Sequence, residues 1–271
     1  MKINDTEFNP DTANFHAGNA YVLGQAAALS YEDAVTIETR TRQWGLSSCR
    51  NISVRGTEAF VAANDELVIV AFRGTEPKKI GDWLTDAAVF PAPGPAGQVH
   101  SGFLKALNLA WPDVLRAITA LQTKGQSLWF TGHSLGAALA TLAVARLRLT
   151  EDRAVHGLYT FGQPRTGDRE FETRFNLDFK SQCFRYVNNS DLVTRVPTRL
   201  TGYSHVGTFV YFDKDGKASA DRGLWFRFLD RMEGRLLDIG KLGADDLKDH
   251  SMATGYLPNL ARQQNPFRAQ G

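Results

Sequence analysis

The chain has 271 residues, of which 43% are hydrophobic and 22% are charged, a usage typical of globular domains. This composition excludes a disordered, collagen-like or coiled-coil protein. No stretch approaches about 18 consecutive apolar residues, so we expect no transmembrane segment. The 31 lysine and arginine residues exceed the 29 aspartate and glutamate residues by only two. That balance gives no reason to expect a nucleic-acid partner, because phosphate binding needs clustered cations.

The cysteines and the first residues limit the remaining classes. Cys49 and Cys183 are far apart, and we interpret them as isolated buried thiols, although a disulfide between them stays open. No cysteine–histidine cluster is present, so we predict no zinc site and no other metal. Residues 1–10 lack the apolar stretch of a Sec signal peptide. We therefore expect a cytoplasmic protein, or one secreted without a leader or as a mature form.

Strands and helices alternate along the sequence. Apolar positions at helical spacing predict a helix over 15–31, and a continuous apolar run predicts a buried strand over 66–72. Proline and glycine predict an irregular surface loop over 91–97. Further strands are predicted at 127–131, 155–161, 183–187 and 208–212, and further helices at 102–124 (broken or begun at Pro112), 135–149, 168–176 and 223–237. This alternation predicts one α/β domain over 1–271, with a mostly parallel sheet flanked by helices on both faces.

The predicted strand at 127–131 leads directly into Gly132-His-Ser-Leu-Gly136 and then into a helix. This is the strand–turn–helix context in which a G-x-S-x-G sequence presents a nucleophilic serine. Ser134 must adopt a strained backbone conformation, and side chains at positions 132 and 136 would collide with neighbouring backbone. The N-terminal amides of the following helix point towards the serine, where an oxyanion would be stabilised. We therefore predict that Ser134 is a nucleophile and that the His133 side chain points away from it.

A serine nucleophile needs a histidine base, and chain order narrows the choice. In enzymes with this turn, an acid and then the histidine follow the serine in the sequence. That order excludes His16 and His100, and His156 follows the serine too closely to leave room for the acid. His205 precedes a strand and is predicted to have a structural role. His250 follows the predicted strands at 127–131, 155–161, 183–187 and 208–212 and is our predicted base, although a plain surface-loop histidine stays open.

Two aspartates follow predicted strands and could orient this histidine. Asp191 comes after the strand at 183–187, through a short polar turn. Asp213 follows the strand at 208–212, but the sequence 213–216 is typical of a hairpin turn. A strand-end carboxylate can hold an imidazole and stabilise its protonated form. We therefore favour Asp191 over Asp213 as the acid.

Several further segments carry a family resemblance. The chain resembles the fungal-type (class 3) triacylglycerol lipases of the α/β-hydrolase superfamily over about residues 60–255. The matching segments, in the family's order and with similar spacing, are Phe72-Arg-Gly-Thr75, Asp82-Trp83 through Asp86, Val99-His-Ser-Gly-Phe103, Gly132-His-Ser-Leu-Gly136, Phe161-Gly-Gln-Pro-Arg165, Asn188 through Pro197, Tyr203-Ser-His-Val-Gly207 and Asp249-His250. The resemblance implies an α/β-hydrolase fold with a helical lid, and a catalytic triad of Ser134, Asp191 and His250.

The same resemblance assigns roles around the triad. It implies that the oxyanion is held by the backbone N–H groups of Thr75 and Leu135, with help from the Thr75 hydroxyl, and that Asp86 orients this hydroxyl. It also implies a lid over 76–90 with an apolar face that includes Ile80, Trp83 and Leu84. An ordinary turn residue at position 75 and a plain packed surface helix at 76–90 stay open. The charged run at 76–79 and the helix at 223–237 depart from the family pattern and leave the shape of the substrate groove open.

These residues imply a serine carboxylic-ester hydrolase without a cofactor. The resemblance favours a triacylglycerol lipase that acts on acylglycerols or other esters through an acyl-enzyme, with reversible contact with a lipid surface. A phospholipase A1, a galactolipase or a small-ester carboxylesterase stays open, because a triad does not recognise head groups. An inactive hydrolase-fold protein that binds lipid is the alternative outside the enzymes.

Overall fold

A computed structural model describes residues 8–75, 90–189, 191–220 and 248–263. Three sets of predictions lie outside these residues. They are the lid positions Ile80, Trp83 and Leu84, the supporting carboxylate Asp86, and the amphipathic helix at 223–237.

The described helices and strands follow one another as the sequence predicts for an α/β protein. The strands are β1 Ser48–Val54, β2 Thr57–Ala63, β3 Leu67–Phe72, β4 Pro91–Pro93, β5 Gln98–His100, β6 Ser127–His133, β7 Gly157–Phe161, β8 Gly167–Asp168, β9 Cys183–Asn188, β10 Tyr203–Ser204, β11 Thr208–Phe212 and β12 Ala218–Ser219. The helices are α1 Ala17–Leu29, α2 Ala34–Gln43, α3 Ser101–Leu121, α4 Leu135–Leu149, α5 Arg169–Phe179, a π-helix Met252–Tyr256 and α6 Leu257–Leu260. Short 3₁₀ turns occupy Lys180–Gln182, Val193–Arg195 and Arg199–Thr201.

An eight-stranded sheet forms the centre, in the order β1-β2-β3-β6-β7-β9-β11-β12. The pairings from β3 to β11 are all parallel, whereas β1, β2 and β12 pair antiparallel at the two edges. The prediction of a mostly parallel central sheet is confirmed. The carboxyl ends of the parallel strands therefore lie along one edge of the sheet, where loops can bring functional side chains together.

Helices cover both faces of this sheet. Strand β3 is buried along its whole length, with Val70 in the apolar cluster beneath α3 and α4 and Ile69 in the cluster beneath α1. Burial on both faces explains why its sequence is a continuous apolar run rather than an alternating one. The alanine-rich helix α4 is buried almost all round and lies directly on the sheet. Short side chains permit this close approach and hold the start of α4 firmly at the end of β6.

The first antiparallel hairpin and the helix before it escaped the sequence analysis. Strand β1 is an edge strand with exposed polar positions, so its sequence lacks the apolar run that marks β3. Helix α2 begins after Asp33, whose carboxylate accepts a hydrogen bond from the Thr36 amide at 2.8 Å. This is a normal N-terminal cap, but few apolar residues follow it to mark the helix.

The prediction of an irregular loop over 91–97 is wrong in part. Pro91–Pro93 forms strand β4 at the edge of a second, four-stranded sheet in the order β10-β8-β5-β4. An edge strand tolerates proline because one side of its backbone needs no ladder partner. Helix α3 also continues through Pro112 without the predicted break.

None of the helices in the described part of the chain is both long and apolar enough to cross a membrane. Cys49 and Cys183 are not bonded to each other, as expected for separate thiols. Cys183 is buried, whereas Cys49 is only half-buried at the start of β1.

Candidate active site

The turn between β6 and α4 has the geometry that its glycines predict. Ser134 lies at φ 57° and ψ −129°, a strained conformation for a residue with a side chain. A Cβ atom at Gly132 would lie 2.4 Å from backbone atoms of Gly136, and one at Gly136 would lie 2.2 Å from the carbonyl oxygen of Phe72. Glycine is therefore required at both positions, as predicted. The Ser134 amide donates to the carbonyl of Phe161 at 3.0 Å, which fixes the turn against the end of β7.

The structure brings His250 and Asp191 together, 59 residues apart in the chain. Nδ1 of His250 lies 2.9 Å from Oδ2 and 3.0 Å from Oδ1 of Asp191, and both side chains are buried. The amide of Val193 also donates to Oδ1, and the hydroxyl of Tyr256 donates to Oδ2 at 2.6 Å. Burial alone raises the pKa of Asp191, but the His250 charge and these hydrogen bonds outweigh it and lower the pKa. The carboxylate thus remains ionised and can balance a protonated imidazole.

Gly162 shows that the serine turn and the His250–Asp191 pair share one location. Gly162 has φ +59°, and a Cβ atom there would lie 2.8 Å from Nδ1 and Cε1 of His250 and 2.9 Å from Oδ2 of Asp191. Its neighbour Phe161 accepts the hydrogen bond from the Ser134 amide. The end of β7 therefore contacts both the serine turn and the His250–Asp191 pair. This glycine belongs to a segment that carries the family resemblance, but no role was predicted for it.

The two atoms predicted to react are buried. Within the described residues, Ser134 Oγ and His250 Nε2 have no hydrogen-bond partner. The hydrogen bond that would pass the serine proton to the histidine is therefore not formed in this structure. Catalytic hydrogen bonds of this kind commonly tighten only when substrate binds.

A polar network ties the segment that carries His250 to the end of β9. The side-chain amide of Asn188 donates to the Asp249 carbonyl at 2.9 Å, and that of Asn189 donates to the Asp249 carboxylate at 3.0 Å. Asn259 donates to the side-chain oxygen of Asn188 at 3.0 Å. Because Asp191 follows the same strand, this network sets the distance between the histidine and its carboxylate.

Tyr256 is a site residue that the sequence analysis missed. Its oxygen accepts a hydrogen bond from the Asn188 amide at 3.1 Å while its proton goes to Asp191. Burial first, and then the nearby carboxylate, hold the pKa of Tyr256 well above its usual value, so it stays a neutral donor. Tyr256 ends the π-helix after His250, and no local sequence signal marks such a contact.

Two residues considered in the sequence analysis lie apart from this pair. The Nε2–H of His205 donates to the carbonyl of Thr194 at 2.7 Å, so it supports the backbone of the segment that follows Asp191. Burial, with the charges of Arg185 and Arg165, holds the pKa of His205 well below its usual value. Asp213 accepts the amides of residues 215 and 217 in the hairpin turn between β11 and β12.

The predicted oxyanion donors lie next to the serine. A Cβ atom at Gly74 would be 3.1 Å from Cβ of Ser134, so the residue before Thr75 touches the nucleophile. Leu135 is the first residue of α4, where backbone amides have no partner within the helix. The roles of Thr75 and Leu135 stay predictions. Among the residues that the structure describes, no cluster of three histidine, cysteine or acidic side chains could hold a metal ion.

The comparisons with known proteins point to one family. The family described as lipase (class 3) matches residues 69–201. The chain is 27% identical over 254 residues to triacylglycerol lipase OBL1 of Ricinus communis, covering 69% of this chain and 48% of that protein. It is 28% identical over 239 residues to phospholipase A1-II 2 of Oryza sativa subsp. indica, covering 73% of this chain and 58% of that protein. The chain thus spans about half the length of the lipases from plants that it matches.

A solved structure supports the same conclusion. Lipase II from Rhizopus niveus superposes with a TM-score of 0.57 and 26% identity, covering 72% of this chain and 79% of that one. The matched residues 69–201 begin in β3 and include the serine turn, Gly162 and Asp191. Residues 69–201 of the chain therefore resemble the class 3 lipase family, and the fold is that of the α/β-hydrolases.

Proposed function

We propose that the protein is a serine carboxylic-ester hydrolase, and specifically a triacylglycerol lipase that acts at a lipid–water interface. The observation that carries this proposal is the buried contact between His250 Nδ1 and the Asp191 carboxylate, beside the strained turn that presents Ser134. A serine, a histidine and a carboxylate in this arrangement form the machinery of acyl transfer. The resemblance to the class 3 lipase family supports the choice of an ester as substrate.

The reaction follows from the chemistry of these groups. Ser134 Oγ attacks the ester carbonyl carbon while its proton passes to Nε2 of His250. Asp191 stabilises the imidazolium that results, because its carboxylate remains ionised. The backbone amides of Thr75 and Leu135 hold the oxyanion of the tetrahedral intermediate. His250 then protonates the leaving alcohol. In the second half of the reaction, water attacks the acyl-enzyme while its proton passes to His250, and His250 returns a proton to Ser134 as the acid leaves.

A phospholipase A1 is the second candidate. The similarity to the rice phospholipase A1-II 2 extends over 73% of this chain, as far as the similarity to the castor-bean lipase. The triad attacks a carboxylic ester in either substrate, so head-group choice depends on residues around the groove. The proposed action at a lipid–water interface includes contact between the 76–90 segment and lipid.

The test of the reaction is Ser134→Ala, measured with a p-nitrophenyl ester and a fluorophosphonate probe. We expect kcat to fall by about 10⁶-fold, labelling to vanish, and the melting temperature to stay nearly unchanged. Ser204→Ala, which changes a serine outside the turn, is the matched control and should keep wild-type activity. Ester hydrolysis that survives in Ser134→Ala would overturn the proposal.

The substrate is tested separately with triglycerides of increasing chain length and with phosphatidylcholine. Each is assayed below and above the concentration at which it aggregates. A rise in rate at aggregation with triglycerides supports a lipase that acts at an interface. Preference for phosphatidylcholine would instead select the phospholipase.

A further inference from the structure

His133, the residue before the nucleophile, makes a contact that the triad does not explain. Its side chain is buried beside His250, with the two ring centres 4.4 Å apart. Nε2 of His133 lies 2.6 Å from the backbone carbonyl oxygen of His250. His133 therefore contacts the main chain of the predicted base, whereas Asp191 contacts its ring.

The partners of His133 determine which ring nitrogen carries the proton. A carbonyl oxygen can only accept a hydrogen bond, so Nε2 of His133 must be the donor. Burial, with a further contribution from the His250 charge, lowers the pKa of His133 to about 3, so the ring is neutral near pH 7. A neutral ring has one proton, and Nδ1 must therefore accept a hydrogen bond.

Tyr31 supplies the proton that Nδ1 accepts. Its hydroxyl oxygen lies 2.8 Å from Nδ1 of His133. Burial raises the pKa of Tyr31 despite the nearby Arg73 charge, which keeps the phenol protonated. Gly74 lies against the same phenol oxygen, since a Cβ atom at position 74 would be only 2.3 Å from it.

These contacts form one directed chain from the Tyr31 hydroxyl, which lies against Gly74, through the His133 ring to the His250 carbonyl. We propose that Tyr31 and His133 are positioning residues, which hold the backbone of His250 in register with the serine turn and with the segment that carries Thr75. The inference rests on the proposed function of Ser134 and His250.

The geometry explains why such a chain matters. Asp191 restrains the His250 ring through Nδ1 alone, and a ring held at one atom can still shift with its backbone. A second restraint on the His250 carbonyl removes that freedom. Small displacements of catalytic groups reduce rates strongly, so loss of this restraint should lower kcat and leave KM unchanged.

The first test is Tyr31→Phe, which removes the hydroxyl and keeps the ring. We expect kcat for a soluble p-nitrophenyl ester to fall roughly tenfold, the value of one lost hydrogen bond, with KM unchanged. The matched control is Tyr159→Phe, since the hydroxyl of Tyr159 also accepts a hydrogen bond, from the His16 amide, at a distance from the triad. A wild-type kcat in a folded Tyr31→Phe protein would overturn the proposal.

The second test asks whether the two residues act as one chain. His133→Leu removes both hydrogen bonds, and Tyr31→Phe should then cause little further loss in the double variant. His133→Gln places an amide donor within reach of the His250 carbonyl and should recover most of the kcat that His133→Leu loses. Fully additive losses, or no recovery with glutamine, would mean that His133 has only a packing role.

A readout independent of activity separates this proposal from the proposed function. Nitrogen-15 NMR of His133 should show a neutral ring with its proton on Nε2 from pH 5 to 8. A proton on Nδ1 would overturn the chain even in an active enzyme. Conversely, if Ser134→Ala keeps turnover while His133 shows the expected state, the reaction assignment fails and the hydrogen-bond chain stands.

Discussion

Two hydrogen-bonded chains end on His250, and each begins at the hydroxyl of a tyrosine. On the ring side, Tyr256 donates to Asp191, which holds Nδ1. On the backbone side, Tyr31 donates to His133, which holds the carbonyl.

The two chains differ in charge. The ring-side chain contains a carboxylate whose pKa is lowered despite burial, whereas the backbone-side chain contains a histidine whose pKa falls to about 3 and which is therefore neutral. A charged partner both orients the imidazole and stabilises its protonated form, whereas a neutral partner can only orient it. Substitutions in the Tyr256–Asp191 chain should therefore reduce activity more than substitutions in the Tyr31–His133 chain.

Among substitutions in these two chains, the largest effect is expected from Asp191→Asn. An amide keeps the size of the carboxylate but removes its charge and favours the wrong imidazole tautomer, so kcat should fall by about 10⁴-fold. Ester hydrolysis across pH 6–9 measures this loss. Asp213→Asn, in the hairpin turn, is the control and should be fully active. Equal activity of the two variants would contradict the assigned acid.

Gly162→Ala tests the ring side through the backbone that contacts both His250 and the serine turn. The added methyl group would meet the His250 ring at 2.8 Å in a backbone conformation with φ +59°. We expect kcat to fall roughly 100-fold, as for a displacement of about 1 Å. Gly125→Ala shares the positive φ of +72° but meets nothing within 4 Å, so it isolates backbone strain. Both variants should have a lower melting temperature than the wild type. A similar kcat in the two would contradict a contact between position 162 and the His250 ring.

Tyr256→Phe removes one hydrogen bond from Asp191 and leaves the Asn188 amide without its acceptor. We expect a loss in kcat of roughly tenfold. Because a hydrogen bond to the charged form is lost, the pKa of Asp191 should rise. Carbon-13 NMR of the Asp191 carboxyl group during an acid titration measures this rise. If the pKa of Asp191 does not change, Tyr256 does not act through this carboxylate.

The smallest effect concerns stability on the backbone side. The pKa of His133 is about 3 in the folded protein and near 6.5 when unfolded, so below pH 6.5 the unfolded chain binds the extra proton. Its contribution to stability is full above pH 6.5 and is lost as the pH falls towards 3. Between pH 6.5 and 5 the loss amounts to about 2 kcal/mol. His133→Gln should therefore lose less stability than the wild type over this interval in denaturant titrations, and parallel losses would refute the assignment.

The sequence predicted those parts of the site that depend on local geometry. The sequence around Ser134 demands glycine on both sides because the turn is tight, and the structure shows the collisions that any side chain would cause. The prediction of the parallel strands succeeded because burial on both faces leaves a continuous apolar run, as in β3. Strands β1 and β4 were not predicted because edge strands carry polar residues or proline.

Chain order, position after predicted strands and the family resemblance selected His250 and Asp191, and the structure brings these two side chains into contact. No local pattern predicts the partners around them. Tyr31 precedes Ser134 by about a hundred residues, and Tyr256 follows Asp191 by 65. A tyrosine becomes a donor to a given oxygen only when packing places it there, and such packing leaves no spacing in the sequence.

The composition is that of an ordinary globular chain of near-neutral charge, and the structure agrees with it. The sequence by itself determined the serine turn, the alternation of strands and helices, and the order of serine, acid and histidine. Only the tertiary structure decided that Gly162 contacts the His250–Asp191 pair and that two chains from tyrosines end on His250. The physical reason is the sequence separation of the interacting residues. Backbone conformation depends on neighbours in the chain, whereas hydrogen bonds across the core depend on how the whole sheet and its helices pack.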